Sequence, residues 1–163
     1  MNPFRAAVVI SALFLSAPVF ANISDEGDEI TQLLLDKSDR TLYLLRGAKA
    51  VRQYRVDLGS NPEGHKTFQG DGRTPEGLYY ITHRNPNSVF FLSLGISYPN
   101  ADDRANARLI GRDPGGDIFI HGRGRKGDNP PADWTEGCAA VSDLEMAEIY
   151  NLVQPGTPIF IKP

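Results

Sequence analysis

The chain has 163 residues, 40% hydrophobic and 23% charged, with a net charge of −3 and a pI near 5.6. That length suits one domain, the composition is that of a folded chain, and the charge offers no electrostatic basis for binding nucleic acid or an anionic membrane surface. Sixteen glycines and twelve prolines favour a turn-rich, mainly β fold over a helical bundle.

Residues 1–21 read as an export signal. Arg5 precedes an apolar run over 6–15, and the small or short residues Val19 and Ala21 stand at −3 and −1 of a cleavage point. The run is too short for a membrane span, which takes roughly 20 residues, so the mature chain is expected to start near Asn22, without an integral span, in the periplasm or cell envelope. There is no twin-arginine pair, and no cysteine stands near the cleavage point to carry a lipid. Residues 22–29 are acidic and polar and form a loose leading segment before a domain over 30–163.

From Ile30 the pattern turns to short apolar runs parted by turn signals. Strands are expected over 30–35, 41–45 and 51–58 as a meander, then over 78–82, 89–94, 108–110, 117–121 and 157–161. The stretch 59–77 is dense in breakers, with Asn61-Pro62-Glu63-Gly64 and Gly70-Asp71-Gly72-Arg73-Thr74-Pro75-Glu76-Gly77. A loop this long inside a compact domain is functional or is clamped by its own hydrogen bonds. Asp71, Arg73 and Glu76 are candidates for a local ion-pair clamp. One helix is well marked: Ser142 and Glu145 form a capping box, Met146, Ile149 and Val153 share a face, and Pro155-Gly156 stops it.

The chain holds a single cysteine, Cys138, in Trp134-Thr135-Glu136-Gly137-Cys138, and Ile120-His121-Gly122 lies upstream. One cysteine in an exported chain cannot close an internal disulfide, and no resolving partner exists for dithiol redox chemistry. A lone cysteine serves core packing as readily as chemistry. A nucleophilic thiol needs a base and oxyanion donors, since free cysteine with a pKa of about 8.5 is only a few per cent thiolate at pH 7. Gly137 permits a tight turn that brings the Cys138 N–H towards a reacting carbonyl, and His121 ends an apolar strand beside a glycine. His65, His83, His121 and Cys138 show no short spacing of the kind zinc sites use, so neither metal nor cofactor is expected.

Ile120-His121-Gly122 followed by Thr135-Glu136-Gly137-Cys138 resembles the His-Gly … Ser/Thr-x-Gly-Cys signature of the L,D-transpeptidase (YkuD-type) catalytic domain. Val56-Asp57-Leu58-Gly59, the 70–77 glycine-rich segment, Arg84-Asn85-Pro86 and Pro155-Gly156-Thr157-Pro158-Ile159 are similar to family segments in the same order, over about 30–161. The resemblance implies a β-sandwich or barrel-like fold with one short helix after the catalytic cysteine. It implies that Cys138 attacks the L-centre carbonyl of a peptidoglycan stem peptide, that His121 moves the proton, and that the Gly122 backbone carbonyl orients the imidazole. Gly137, Thr135 and Arg123 are the accompanying oxyanion or substrate candidates. The acyl group then passes to an amine, or to water in an L,D-carboxypeptidase or endopeptidase acting on stem peptides or a wall-attached protein. The motif leaves transfer and hydrolysis both open.

Two departures stand out. Ala140 occupies a position where many members carry arginine, with Arg112, Arg123, Arg125 and Lys126 as substitutes. Glu136 stands where some members have histidine, and an inward carboxylate there would raise the thiol pKa. No peptidoglycan-binding module is recognisable, so substrate contacts must come from the catalytic domain, with Trp134, Tyr98 and Phe91 as candidate cleft residues.

Overall fold

Eight strands and two helices are laid out in the computed structural model, which describes residues 29–124 and 130–163. The export-signal reading over 1–21, and Arg125 and Lys126, lie outside the described residues. The meander is present as β1 (Gln32–Asp36), β2 (Thr41–Arg46) and β3 (Lys49–Arg55), paired antiparallel in sequence order. Alternation decides which face is inside: Leu33, Leu35, Leu42 and Leu44 are fully buried. β4 (Gly77–Ser88) is far longer than the predicted 78–82, because one half serves each of two neighbours. Its first residues pair with β8 (Pro158–Lys162), and its later ones pair with β5 (Phe91–Ile96).

β8 also runs parallel to β1. β6 (Phe119–His121) pairs with β5 and, in parallel, with the two-residue β7 (Ala139–Ala140), which gives the strand order β3-β2-β1-β8-β4-β5-β6-β7. The ends of this sheet meet. The chain leaving β3 bridges back at Asp57, which exchanges two 2.8 Å backbone hydrogen bonds with Ala140, and Gly59 bridges Thr135. The sheet therefore curls into the barrel-like form the sequence implies, and the closing seam runs beside Cys138.

The predicted helix is α2 (Asp143–Leu152), with the reciprocal Ser142–Glu145 capping box formed and Met146, Ile149 and Val153 fully buried. It packs on β5 and β6. The strand expected over 108–110 is a correction: those residues end α1 (Ala101–Leu109) and its cap. Here a second capping box wins. The Asn100 side chain accepts from the Asp102 and Asp103 N–H groups, and the Asp103 carboxylate accepts from Asn100 N–H at 2.8 Å. Leu109 and Ile110 are exposed.

The 59–77 loop is clamped, but its cations are lysines rather than Arg73. Lys37 Nζ, buried, reaches Glu76 Oε1 at 2.6 Å and the carbonyls of Gly64 and Thr74. Lys66 Nζ lies 2.9 Å from Asp71 Oδ1, both side chains buried. Burial alone would raise the Asp71 carboxyl; N–H donors from Thr67, Arg73 and Phe68, with Lys66, outweigh it and hold the group at about 2. His65 joins the loop to α1, with Nε2 at 3.0 Å from Asp103 Oδ1 and Nδ1 accepting from Glu76 N–H.

Candidate active site

β6 delivers His121 to the seam with its backbone fixed on both sides. Ser93 of β5 and Ala140 of β7 are its register partners, and its carbonyl accepts from Val141 N–H at 2.9 Å. The residue is buried, with Nδ1 2.6 Å from the Gly122 carbonyl oxygen. A carbonyl only accepts, so Nδ1 carries the hydrogen and Nε2 of the neutral ring keeps a free lone pair. Phe90 stacks on the imidazole at 4.6 Å between centroids, and the Trp134 ring meets it edge-on at 5.7 Å. Burial lowers the imidazole pKa, only partly offset by the Gly122 bond. At neutral pH His121 is therefore a neutral base.

Cys138 follows a turn built for close approach. Gly137 has φ of +133°, and a Cβ there would fall 2.6 Å from the Arg73 carbonyl oxygen. Thr135 closes the turn from inside: its hydroxyl donates to the Cys138 carbonyl at 2.8 Å and accepts from Gly137 N–H at 3.0 Å. Thr135 is buried, and both it and the Gly137 N–H are occupied within the turn. Neither is open to substrate as the sequence reading had it. Among the described residues no acceptor is set against the Cys138 N–H, which leaves that donor for an oxyanion.

The Cys138 sulfur accepts from Phe119 N–H at 3.4 Å, and its S–H points to the Asp117 carbonyl at 3.5 Å. Burial pushes the thiol up to about 11; the Phe119 N–H and Lys66 pull it down, and Asp117 pushes it further up. The resting pair is thus neutral thiol and neutral imidazole, not a thiolate–imidazolium pair. Alkylation by iodoacetamide should accordingly rise about tenfold per pH unit from pH 7 to 9. A rate plateau beginning below pH 6 would refute this.

Cys138 lies where two clefts meet. One, of about 340 Å³, is lined by Asn85, Asn87, Phe90, Phe119 and His121 among others, and so places His121 and Cys138 on one surface. The second, of about 330 Å³, is lined by Lys66, Gln69, Gly115, Gly116, Ile118 and Glu136. Asp117 and Cys138 border both. Glu136 is exposed on the second cleft's rim. Arg123 reaches Asp57 Oδ2 at 3.6 Å, beside the Asp57–Ala140 bridge where the missing arginine would stand. Arg112 instead covers the Phe68 ring at 4.4 Å.

Of the aromatic candidates, Trp134 belongs to the site. Tyr98 is buried with its hydroxyl on the Pro114 carbonyl, and Phe91 is exposed while its neighbour Phe90 does the stacking. Phe90, Lys66, Asp117 and Asp143 escaped the sequence reading. Phe90 lies in the turn between β4 and β5, one residue before the strand that Phe91 opens, and the others arrive through tertiary contact. Among the described residues no three His, Cys, Asp or Glu side chains are grouped to hold a metal, and no helix is long and apolar enough to cross a membrane.

The model of the YkuD L,D-transpeptidase catalytic domain matches residues 31–161. YafK of Escherichia coli, assigned by name to the L,D-transpeptidases, is 30% identical over 134 residues, covering 78% of this chain and 48% of its own. The chain thus spans about half the length of the curated relatives it matches. In fold it is similar to the helical cell shape determining protein Pgp2 of Campylobacter jejuni, with a TM-score of 0.63, 22% identity, and coverage of 84% of this chain and 52% of that one. Bd1075 of Bdellovibrio bacteriovorus gives 0.61 at 24% identity, over 85% of this chain and 50% of its own. The C442S mutant of the Enterococcus faecium L,D-transpeptidase gives 0.53 at 14%, over 82% and 50%.

Proposed function

We propose that this chain, which belongs to the L,D-transpeptidase (YkuD) catalytic domain family, is an exported cysteine acyltransferase that cleaves the L,D bond of peptidoglycan stem peptides and passes the acyl group to an amine. The observation that carries the reading is the shared cleft of Cys138 and His121, with Nδ1 held by the Gly122 carbonyl. His121 Nε2 takes the thiol proton as sulfur bonds to the L-centre carbonyl carbon, and the Cys138 N–H receives the oxyanion. The carbon–nitrogen bond then breaks, His121 returns the proton to the departing D-alanine amine, and a thioester remains. An acceptor amine attacks that thioester, His121 takes its proton, and the thiol is restored. Arg123, which pairs with Asp57 beside Ala140, is the candidate to stand in for the arginine that Ala140 replaces.

The second cleft favours transfer over hydrolysis, because it offers an acceptor its own approach to Cys138. Purified tetrapeptide muropeptides incubated with the protein should release D-alanine and yield cross-linked products by mass spectrometry. Tripeptide alone would replace transfer with hydrolysis, and neither product nor acyl-enzyme would overturn the assignment.

A further inference from the structure

We propose that Asp143 is a positioning residue for His121, acting through the peptide group that joins Gly122 to Arg123; the inference rests on the reading of His121 as the base. The Asp143 Oδ1 atom accepts from Arg123 N–H at 2.7 Å and from Gly124 N–H at 3.0 Å. The Arg123 N–H and the Gly122 carbonyl belong to one planar peptide unit, in which a trans bond points them in opposite directions. Asp143 grips one end of that unit and His121 Nδ1–H, at 2.6 Å, grips the other. Rotating the plane would break both bonds together, so the carboxylate fixes the carbonyl that fixes the imidazole. An ionised acceptor on the N–H also makes the carbonyl opposite a stronger acceptor. The chain Asp143–peptide–His121 therefore favours the imidazolium formed during proton transfer, as a carboxylate bonded directly to Nδ1 does elsewhere.

The packing leaves the peptide no other place. A Cβ on Gly122 would lie 2.5 Å from Asp143 Oδ1 and 2.9 Å from the Phe90 carbonyl oxygen. Asp143 opens α2 directly after the Cys138 segment, so one run of chain carries both the nucleophile and the group that holds the base. Among the described residues, the other ionisable groups around His121 are Cys138 and Asp117 on its cleft, and Arg123 paired with Asp57 beyond Ala140.

A carboxylate in the first turn of a helix also stabilises that helix, so the test must separate the two roles. Asp143→Ala should lower kcat about tenfold to a hundredfold with KM little changed, the size seen when a partner that orients a histidine is removed. The acid limb of the rate profile should move to lower pH, because the imidazolium loses its support. Asp143→Asn keeps the oxygen acceptor without the charge; it covers the case where the alanine variant fails to fold, and should shift the limb in the same direction with a smaller rate loss. NMR of the His121 Nδ1 proton and its titration tests the positioning without turnover: the variants should show faster exchange and a lower imidazole pKa. Turnover absent in the parent chain would sink the acyltransfer reading and leave the NMR arm to decide this one. An unmoved limb, an unchanged His121 titration, or a rate loss that merely tracks the fraction folded would overturn it.

Discussion

Cys138→Ala should abolish turnover, by roughly 10⁴-fold or more, the scale on which losing the nucleophile of a covalent mechanism acts. Among the described residues no second thiol is placed to replace it. The chain has no second cysteine, and the remaining polar side chains on the two clefts are the base His121, amides, carboxylates, serines and a lysine paired with Asp71. Stability should barely move. The sulfur holds one long contact from Phe119 N–H, the S–H another to Asp117, and the residue keeps some exposure. A change within about 1 kcal/mol corresponds to a few degrees in a domain of this size. Turnover and acyl-adduct mass, measured beside thermal unfolding, check both halves. Retained activity in a folded alanine variant would remove the nucleophile and with it the proposed chemistry. Loss of folding would mean that the thiol is a packing element, the role a lone cysteine often has.

The parts of this molecule that could be read from its sequence are those whose cause is local. The Ser142–Glu145 box needs only four consecutive residues, and alternation of leucines in β1 and β2 needs only the pleat. The pairing of Cys138 with His121 came from motif order, because each is flanked by the glycine that its turn requires. Failures fall where distant contacts decide. Arg108-Leu109-Ile110 looks like a strand until Asn100–Asp103 is seen to cap a helix running into it. β7 is two alanines whose extended form is imposed by β6 on one side and Asp57 on the other. Asp71, Glu76 and Arg73 resemble a self-contained clamp, but buried lysines from elsewhere in the fold or loop take the carboxylates. Asp143 is invisible for the same reason: it looks like an ordinary acidic residue opening a helix, and only the return of the chain at Gly122 gives it two amides to hold.

Gly137→Ala should cost about 2–4 kcal/mol of stability and should cut activity beyond the unfolded fraction. Two independent penalties add. At φ of +133° the backbone sits where side chains other than glycine's are strained by about 1–3 kcal/mol. The new methyl would also lie 2.6 Å from the Arg73 carbonyl oxygen and 3.3 Å from Ile118 Cδ1. Arg73 cannot retreat freely, since its N–H is tied to Asp71 Oδ1 at 3.0 Å and Asp71 is anchored by Lys66. The turn must therefore move instead, and the turn carries the Cys138 N–H and the Thr135 hydroxyl bonds on which its geometry depends. A shift of even 1 Å in such a site can lower the rate a hundredfold. Thermal unfolding should fall by roughly 5–15 °C at 2–4 °C per kcal/mol, and the variant that remains folded should form its acyl-enzyme slowly. Thr135→Val offers the matching control: it leaves the backbone unstrained, deletes the same turn-closing bonds, and should reproduce the rate loss with the smaller stability change. If Gly137→Ala acylates at the parent rate once corrected for folding, the tight turn is a structural convenience, and the placement of the Cys138 N–H has nothing to do with the chemistry.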